Sequence, residues 1–257
     1  MKESAKSRAT FMLLAGLARP LMNVLMARKW EGVENLPPGG FIAVPNHCTE
    51  IDPIVIGHMV YNQKRPPHFL AKTGLFKVPV LGALLHATKQ IPVERSTAGA
   101  NRSLQVAKEV VDAGGAIIIY PEGTLTRDPD LWPMKGHTGA ARLALQTGAP
   151  VVPMAHWGAQ EVFPRYAKRF HIFPRKTVRV LIGKPVDLSA FSERPLDRTT
   201  LTAATEVIMD AITELLETLR GEQAPAERWD PAVHKQSKHG RFIQGGSPDA
   251  HEGEDGK

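Results

Sequence analysis

The sequence predicts a single α/β domain with a largely parallel or mixed sheet that is covered by helices. Its 257 residues, 42% of them hydrophobic, are enough to bury one sizeable core. Short apolar runs alternate along the chain with segments of helical periodicity, which is typical of sheets covered on both faces. The sequence contains no internal repeat of the kind that solenoids and propellers show. Together these observations favour one α/β domain over two small ones.

Six apolar runs predict the strands, and four segments between or after them predict helices. The predicted strands are residues 41–45, 68–72, 90–94, 116–120, 151–155 and 177–183. The predicted helices are residues 53–62, 99–113, 137–148 and 199–221, the last ending at a glycine. Strands that alternate with helices in this way predict an α/β sheet whose strands run largely parallel.

The two ends of the chain differ in composition from this domain of residues 31–221. Residues 1–30 are basic and apolar, but their uninterrupted apolar run ends at Arg19-Pro20, well short of the roughly 20 residues that span a bilayer. We therefore expect a membrane-interface helix lying on anionic headgroups; an ordinary packed helix and a cleaved signal peptide are the alternatives. Residues 222–257 have few large apolar side chains and predict a disordered tail.

The chain is basic, with a net charge of +6, which favours partners that carry phosphate. Residues 162–186 contain seven Lys and Arg residues and no acid, and aromatic residues lie between them. This pattern predicts either a membrane surface or an RNA surface, or a strand pair with solvated charges. Cys48 is the only cysteine, so no intrachain disulfide can form.

A polar cluster follows the first predicted strand, at the kind of strand end where α/β proteins gather functional residues. His47 and Asp52 would meet if this segment turns before the helix that Pro53 favours. The carboxylate would then hold the imidazole tautomer and leave Nε2 as a general base. The alternative is that Asp52 caps its own helix. Backbone N–H groups at the start of that helix are candidates to stabilise a developing oxyanion.

The proton that such a base removes is expected to come from a substrate hydroxyl, because the sequence has no GxSxG serine motif. Cys48 is the one candidate protein nucleophile. A second cluster follows the strand at 116–120, where Gly123 permits close backbone approach to an anion. Arg95, Arg127 and Lys135 are the cations that could clamp a phosphate there. No metal is predicted, since the His and carboxylates lack ligand spacing.

Four blocks in order resemble the glycerolipid acyltransferases, the family of 1-acylglycerol-3-phosphate O-acyltransferases. Asn46-His47 with Asp52 is similar to that family's NHx₄D block, and residues 120–124 (YPEGT) to its FPEGTR block. "QIPVER" resembles the intervening block that ends in arginine, and "VVPMA" the downstream Val-Pro block. The resemblance covers residues 35–185.

This resemblance implies acyl transfer from acyl-CoA or acyl carrier protein to a lysophospholipid hydroxyl, without an acyl-enzyme and without a cofactor. It implies that His47 is the base and Asp52 its partner. It also implies that Arg95, Glu122, Gly123 and Thr124 form the phosphate and glycerol site of the acceptor. Further candidates for binding the acceptor are Asn46, Thr49, Arg127 and Lys135. Residues 31–221 would then be the acyltransferase domain, held peripherally on the cytoplasmic face of an anionic membrane and not on nucleic acid.

The chain departs from the family pattern at Leu125, where an arginine normally follows EGT. If Arg127 reaches in from a longer turn, the phosphate site is preserved; otherwise the acceptor differs from lysophosphatidate. The alternatives left open are another lysolipid or glycolipid acceptor, a thioesterase-like hydrolase that uses water or Cys48, and a binding module without chemistry.

Overall fold

A computed structural model of the chain describes residues 5–93, 97–234 and 236. It contains a seven-stranded mixed sheet in the order β1-β7-β6-β2-β5-β3-β4. The strands are β1 (Met26–Glu31), β2 (Phe41–Pro45), β3 (Pro67–Lys72), β4 (Ile91–Val93), β5 (Ala116–Ile118), β6 (Val151–Trp157) and β7 (Lys176–Ile182). All neighbouring pairs are parallel except β6 and β7, which are antiparallel. The prediction of one α/β domain with a largely parallel or mixed sheet is therefore confirmed.

Seven helices connect and cover these strands in the described part of the chain. They are α1 (Ala5–Leu25), α2 (Asp52–Asn62), α3 (Leu81–Ala87), α4 (Thr97–Asp112), α5 (Gly139–Thr147), α6 (Ala159–Val162) and α7 (Arg198–Arg220). The Asp197 side chain caps the first turn of α7 by accepting from the Thr200 N–H. Gly221, in the left-handed conformation, ends α7, as the sequence predicted.

The central strand β2 shows why the sheet needs helices on both faces. All five of its residues are buried, and they alternate between two separate cores. Phe41 and Ala43 pack with α2 and the end of α1, whereas Ile42 and Val44 pack with α4, α5 and α7. Successive residues of a strand point to opposite faces, so an unbroken apolar run is what a doubly covered strand requires.

The two ends of the chain differ from the sequence expectations. Residues 26–31 form edge strand β1, paired in parallel with β7, instead of continuing the N-terminal helix. Residues 222–234 pack back on the domain, because Arg228 forms ion pairs with Glu206 and Asp210 of α7. Most of the remaining predicted tail lies outside the described residues. Among those that are described, no helix combines the length and hydropathy that crossing a membrane requires.

Candidate active site

The predicted polar clusters meet at one edge of the sheet, because β2, β5 and β6 run in the same direction. The backbone registers pair Ala43 with Ile118 and Pro45 with Met154, so the chain leaves all three strands side by side. The two loops are joined directly, since the Thr126 N–H donates to the His47 carbonyl at 2.7 Å. The carboxyl ends of parallel strands are where open α/β sheets place their sites.

His47 and Asp52 contact each other as the sequence predicted. The distance from His47 Nδ1 to Asp52 Oδ2 is 2.9 Å, and the imidazole stacks on the Tyr120 ring at a centroid distance of 4.1 Å. Asp52 is fully buried, whereas 15% of the His47 side chain is exposed. Among the described residues none hydrogen bonds to Nε2 of His47. The imidazole is thus fixed at one nitrogen and accessible at the other.

Asp52 begins α2, and it also binds the loop that precedes the helix. Its Oδ2 accepts from the backbone N–H groups of Cys48 at 2.7 Å and Thr49 at 2.9 Å. The two alternatives for Asp52 therefore occur together, because one carboxylate both orients His47 and closes the turn. The N–H groups of Cys48 and Thr49 are therefore directed at Asp52.

The charge state of Asp52 follows from its neighbours. Burial raises the pKa of this carboxyl, but the His156 and His47 imidazoles outweigh burial and lower the pKa to about 2. The same contact with Asp52 raises the pKa of the His156 imidazole, even though burial opposes it. Asp52 is thus an anion at neutral pH and can hold a proton on Nδ1 of His47.

His156 is a member of the site that the sequence reasoning missed. Its Nε2 lies 3.0 Å from the Asn46 carbonyl oxygen and 3.4 Å from Asp52 Oδ2, and its ring is fully buried. The only signal in the sequence is a polar residue at the end of the apolar run that became β6.

Asn46, Thr49 and Glu122 are buried and engaged in the architecture of the site. The Asn46 amide bonds both the N–H and the carbonyl of His156, and the Thr49 hydroxyl donates to the Phe163 carbonyl. The two carboxyl oxygens of Glu122 accept from the His47 N–H at 2.9 Å and the Met134 N–H at 3.0 Å. Their predicted contacts with substrate stay a prediction, while the observed contacts join the loops.

Glu122 differs from Asp52 in its charge state. Burial raises the pKa of Glu122 to about 8, although the two backbone N–H donors and a hydrogen bond with Thr126 oppose the rise. The neighbouring Asp52 charge adds to the rise. Glu122 is therefore protonated at neutral pH and carries no charge to the acceptor site.

The turn after Glu122 is the accessible part of the second cluster. Gly123 has a φ of +68°, and a Cβ there would lie 2.8 Å from the His137 ring, so the turn requires glycine. Gly123 is exposed and Thr124 is half-buried. These two residues are placed where a ligand can reach the backbone.

Arg127 lies in the longer turn beyond Leu125 and is buried. Burial lowers the pKa of its guanidinium; Tyr166 opposes this change and the nearby Arg165 guanidinium adds to it. Arg165 itself donates to the Thr126 carbonyl and to the Asp128 carbonyl. The guanidinium groups of Arg127 and Arg165 therefore both lie at the loop that follows β5, and an anion bound there would relieve their repulsion.

The other predicted cations are placed differently. Lys135 forms an ion pair with Asp230 at 3.0 Å, and its N–H donates to the Trp229 carbonyl, so it anchors the segment after α7. Arg95 lies outside the described residues.

One group of side chains has the spacing of metal ligands. Ligand atoms of Cys48, Asp52 and His156 lie within 4.8 Å of one another. Burial and the nearby carboxylates raise the pKa of the Cys48 thiol well above its usual range, which disfavours the thiolate that binds metal. Asp52 already accepts three hydrogen bonds through Oδ2. This group therefore fits a hydrogen-bonded cluster better than an ion site.

The fold and this geometry define a class of protein: an α/β domain that holds a histidine–aspartate pair at the carboxyl edge of its sheet. A family model described as Acyltransferase matches residues 27–157. The chain belongs to the acyltransferase family.

Comparisons with individual proteins agree with this membership. The chain is 31% identical over 159 residues to the chloroplastic 1-acyl-sn-glycerol-3-phosphate acyltransferase BAT2 of Brassica napus, which covers 61% of this chain and 44% of the plant protein. It is 28% identical over 191 residues to the 1-acyl-sn-glycerol-3-phosphate acyltransferase of Borreliella burgdorferi, with 74% and 71% covered. The match thus spans less than half of the plant relative and about 70% of the bacterial one.

A crystal structure also shares the fold. The 1-acyl-sn-glycerophosphate (LPA) acyltransferase PlsC of Thermotoga maritima superposes with a TM-score of 0.64 at 23% identity, covering 88% of this chain and 86% of that one. At this identity the likeness concerns the fold.

Proposed function

We propose that the chain transfers a fatty acyl group from acyl-CoA or acyl carrier protein to the free hydroxyl of a lysophospholipid. The proposed acceptor is 1-acylglycerol-3-phosphate, and the product is then phosphatidic acid. The observation that supports this most strongly is the 2.9 Å contact between His47 Nδ1 and Asp52 Oδ2, in a site that leaves Nε2 accessible. The names of the relatives from Brassica napus and Borreliella burgdorferi agree with this acceptor.

The reaction follows from the charge states of the pair. Ionised Asp52 accepts the Nδ1 proton of His47, so Nε2 is the basic nitrogen. Nε2 removes the proton of the acceptor hydroxyl as the oxygen attacks the thioester carbonyl, forming a C–O bond. When the C–S bond breaks, the proton on Nε2 passes to the departing thiolate. The acyl group goes directly from sulfur to oxygen, so no acyl-enzyme is formed.

Cys48 is unsuited to act as the nucleophile. Its thiol is fully buried, and its sulfur lies 3.9 Å from both Asp52 Oδ1 and Gln160 Oε1. Because burial and the adjacent Asp52 carboxylate raise its pKa, the thiol stays protonated at neutral pH. No metal or organic cofactor is needed for the direct step.

The acceptor phosphate is proposed to bind at the turn after β5. Gly123 offers accessible backbone, and Arg127 and Arg165 bring positive charge to the same loop. Arg127 and Arg165 together would then do what the family's arginine does at the position of Leu125. Because Glu122 is protonated, it does not repel the phosphate.

The proposed place of action is the cytoplasmic face of a membrane, where the enzyme is peripheral or monotopic. Helix α1 exposes several large apolar side chains to solvent, namely Met12, Leu13, Leu21 and Val24. Cations are adjacent to this surface in sequence, as expected for an interfacial helix on anionic lipid. The partners are then the acyl donor, the lysophospholipid and this surface, and not nucleic acid.

The test is transfer of a labelled acyl group from acyl-CoA, or from acyl carrier protein, to a panel of lysophospholipids. The wild type is compared with His47→Ala and Cys48→Ala, and His86→Ala serves as the matched histidine control because it lies on α3. We expect His47→Ala to lower transfer by roughly 10²-fold to 10⁴-fold, whereas Cys48→Ala and His86→Ala retain it.

Two results would overturn the proposal. The first is product formation that requires no lysolipid and stops in Cys48→Ala, which would indicate a hydrolase. The second is transfer that is indifferent to His47. The acceptor panel decides between lysophosphatidate and another lysolipid or glycolipid.

A further inference from the structure

The segment of residues 163–175, which we call the aromatic loop, leaves an unusual amount of apolar surface exposed. Residues 168–175 are all exposed, and three of them are large apolar side chains. The exposed fractions are 91% for Phe173, 52% for Phe170 and 49% for Ile172. Adjacent exposed apolar side chains of this size mark an interaction surface.

The charges around the tip of this loop, residues 168–175, indicate which kind of surface covers it. Residues 162–186 carry seven Lys and Arg residues and no acid. Lys168 and Arg169 precede Phe170, and Arg175 follows Phe173, all of them exposed. Aromatic and aliphatic side chains among cations match an anionic bilayer surface, where apolar side chains enter the acyl boundary and cations stay with the headgroups.

The aromatic loop is continuous with the exposed face of α1. The Arg175 guanidinium donates to the carbonyls of Asn23 in the last turn of α1 and of Met26 at the start of β1. Next to these residues, Leu21 and Val24 are exposed. The apolar tip and the N-terminal helix therefore lie on the same side of the molecule.

The other end of the aromatic loop contacts both catalytic loops. Phe163 accepts a hydrogen bond from the Thr49 hydroxyl, and the Tyr166 N–H donates to Glu50 Oε1 at 3.1 Å. Arg165 donates to the Asp128 carbonyl at 2.9 Å. Phe163 also packs against Phe170 at a ring distance of 4.6 Å. The exposed tip is thus connected through few contacts to the loop of His47 and the loop of Arg127.

We propose that the tip of the aromatic loop, residues 168–175, inserts into an anionic bilayer and holds the catalytic loops against the surface that contains the lipid substrate. The inference rests on the proposed function only for the identity of that substrate. The occupant of the surface is the bilayer itself, through Phe170, Ile172 and Phe173, with the flanking cations on the headgroups.

The first experiment measures vesicle binding and needs no catalysis. The purified full chain is sedimented with vesicles of phosphatidylcholine that contain about 30% phosphatidylglycerol. We expect Phe173→Ser to weaken binding about tenfold, and Lys168→Ala about fivefold at low salt. Val233→Ser is the matched control, because Val233 is 74% exposed but lies in the segment after α7; it should bind as the wild type does. Equal binding by Phe173→Ser and wild type would overturn the proposal.

The second experiment tests the connection to the site. Acyl transfer is measured with lysophosphatidate in the same vesicles and with a short-chain lysophosphatidate in solution. We expect Phe173→Ser to lower the vesicle rate about tenfold and to leave kcat/KM for the soluble acceptor within about twofold, because the residue touches no catalytic group. An equal loss with both acceptors would overturn the connection.

The outcomes separate this proposal from the proposed function. A wild type that binds vesicles through Phe173 but transfers no acyl group would contradict the function and support the insertion. A wild type that transfers the acyl group, together with a Phe173→Ser variant that binds vesicles as the wild type does, would support the function and contradict the insertion. Two further results would overturn insertion: self-association in lipid-free solution that Phe173→Ser abolishes, and binding of acyl carrier protein to this tip without lipid.

Discussion

Two buried carboxyls, Asp52 after β2 and Glu122 after β5, show how the same chemical group is used in two ways. Both are fully buried and both follow adjacent parallel strands. The pKa of Asp52 is lowered to about 2, whereas the pKa of Glu122 is raised to about 8. Burial raises the pKa in both cases, so the difference comes from their partners.

The partners differ in charge and in number. Asp52 faces the imidazoles of His47 and His156 and also accepts two backbone N–H groups. Glu122 accepts two backbone N–H groups and lies near the charge of Asp52. A buried carboxyl ionises only if its partners replace the lost hydration. One carboxyl is therefore an anion beside His47, and the other is a neutral group that joins two loops.

The largest expected effect separates the two acids by activity. Asp52→Asn keeps the shape of the side chain but removes the charge that holds the Nδ1 proton of His47. We expect kcat to fall by roughly 10²-fold to 10⁴-fold. In Glu122→Gln we expect kcat to fall less than about tenfold, because Glu122 touches no reacting atom. Steady-state rates at pH 7.5 measure both. Equal losses of kcat in the two variants would show that the two carboxyls do not differ in their contribution to catalysis.

The second effect separates them by stability. In Glu122→Gln one oxygen becomes an NH₂ group, so either the His47 N–H or the Met134 N–H loses its acceptor. A buried donor left without a partner costs about 1–3 kcal/mol, and we expect the free energy of unfolding to fall by about 2 kcal/mol. Urea unfolding measures the change, with the exposed surface variant Glu193→Gln as the control. A loss below about 0.5 kcal/mol would show that Glu122 does not join the loops.

The third effect concerns His156, which we expect to position Asp52. His156→Ala removes the donor to the Asn46 carbonyl and the second imidazole beside Asp52, and we expect kcat to fall about tenfold with KM unchanged. His156→Gln can still donate to that carbonyl, so it should recover part of the rate. If both variants lowered only the thermal stability and left kcat unaltered, His156 would have no part in positioning Asp52.

The fourth effect is the pH dependence of stability, with opposite slopes for the two acids. The folded pKa of Glu122, about 8, exceeds its unfolded value of 4.5, so stability declines as pH rises from 4.5 to 8. The folded pKa of Asp52, about 2, is below its unfolded value of 3.8, so its contribution is present above 3.8 and is lost as pH falls through 2.

Urea unfolding at several pH values checks these signs. Each carboxyl contributes at most about 1.4 kcal/mol per pH unit. The stability deficit of Glu122→Gln relative to the wild type should therefore shrink as pH rises from 5 towards 8. A deficit that grows over this range would mean that Glu122 is ionised in the folded protein.

The sequence predicted a strand correctly wherever a local apolar pattern was enough to identify it. The apolar runs that became β2 and β6 were read correctly because an unbroken apolar run of about five residues is too short for a helix and fits a strand covered on both faces. Edge strand β1 was missed because its residues, MARKWE, carry charge and continue a helical pattern. Its pairing with β7 depends on residues about 150 positions away, which local periodicity cannot report.

The site was predicted where the motif spacing sets the geometry and missed where tertiary contacts set it. The turn before Pro53 made the His47 and Asp52 contact foreseeable from sequence. No local pattern shows that the Glu122 oxygens face the backbone of His47 and Met134, or that Asn46 bonds the backbone of His156. Those contacts exist because adjacent strands bring together loops that are distant in sequence.

The most direct test of the central claim, direct acyl transfer without an acyl-enzyme, is the intact mass of the protein under turnover conditions. The wild type is mixed with labelled acyl-CoA and no acceptor, and a sample is quenched within one turnover time for intact-mass spectrometry. Lysophosphatidate is then added to the remaining mixture. The account predicts no acylated protein before the acceptor is added and labelled phosphatidic acid afterwards. A protein that gains one acyl group at the rate of turnover, on Cys48 or elsewhere, would contradict it.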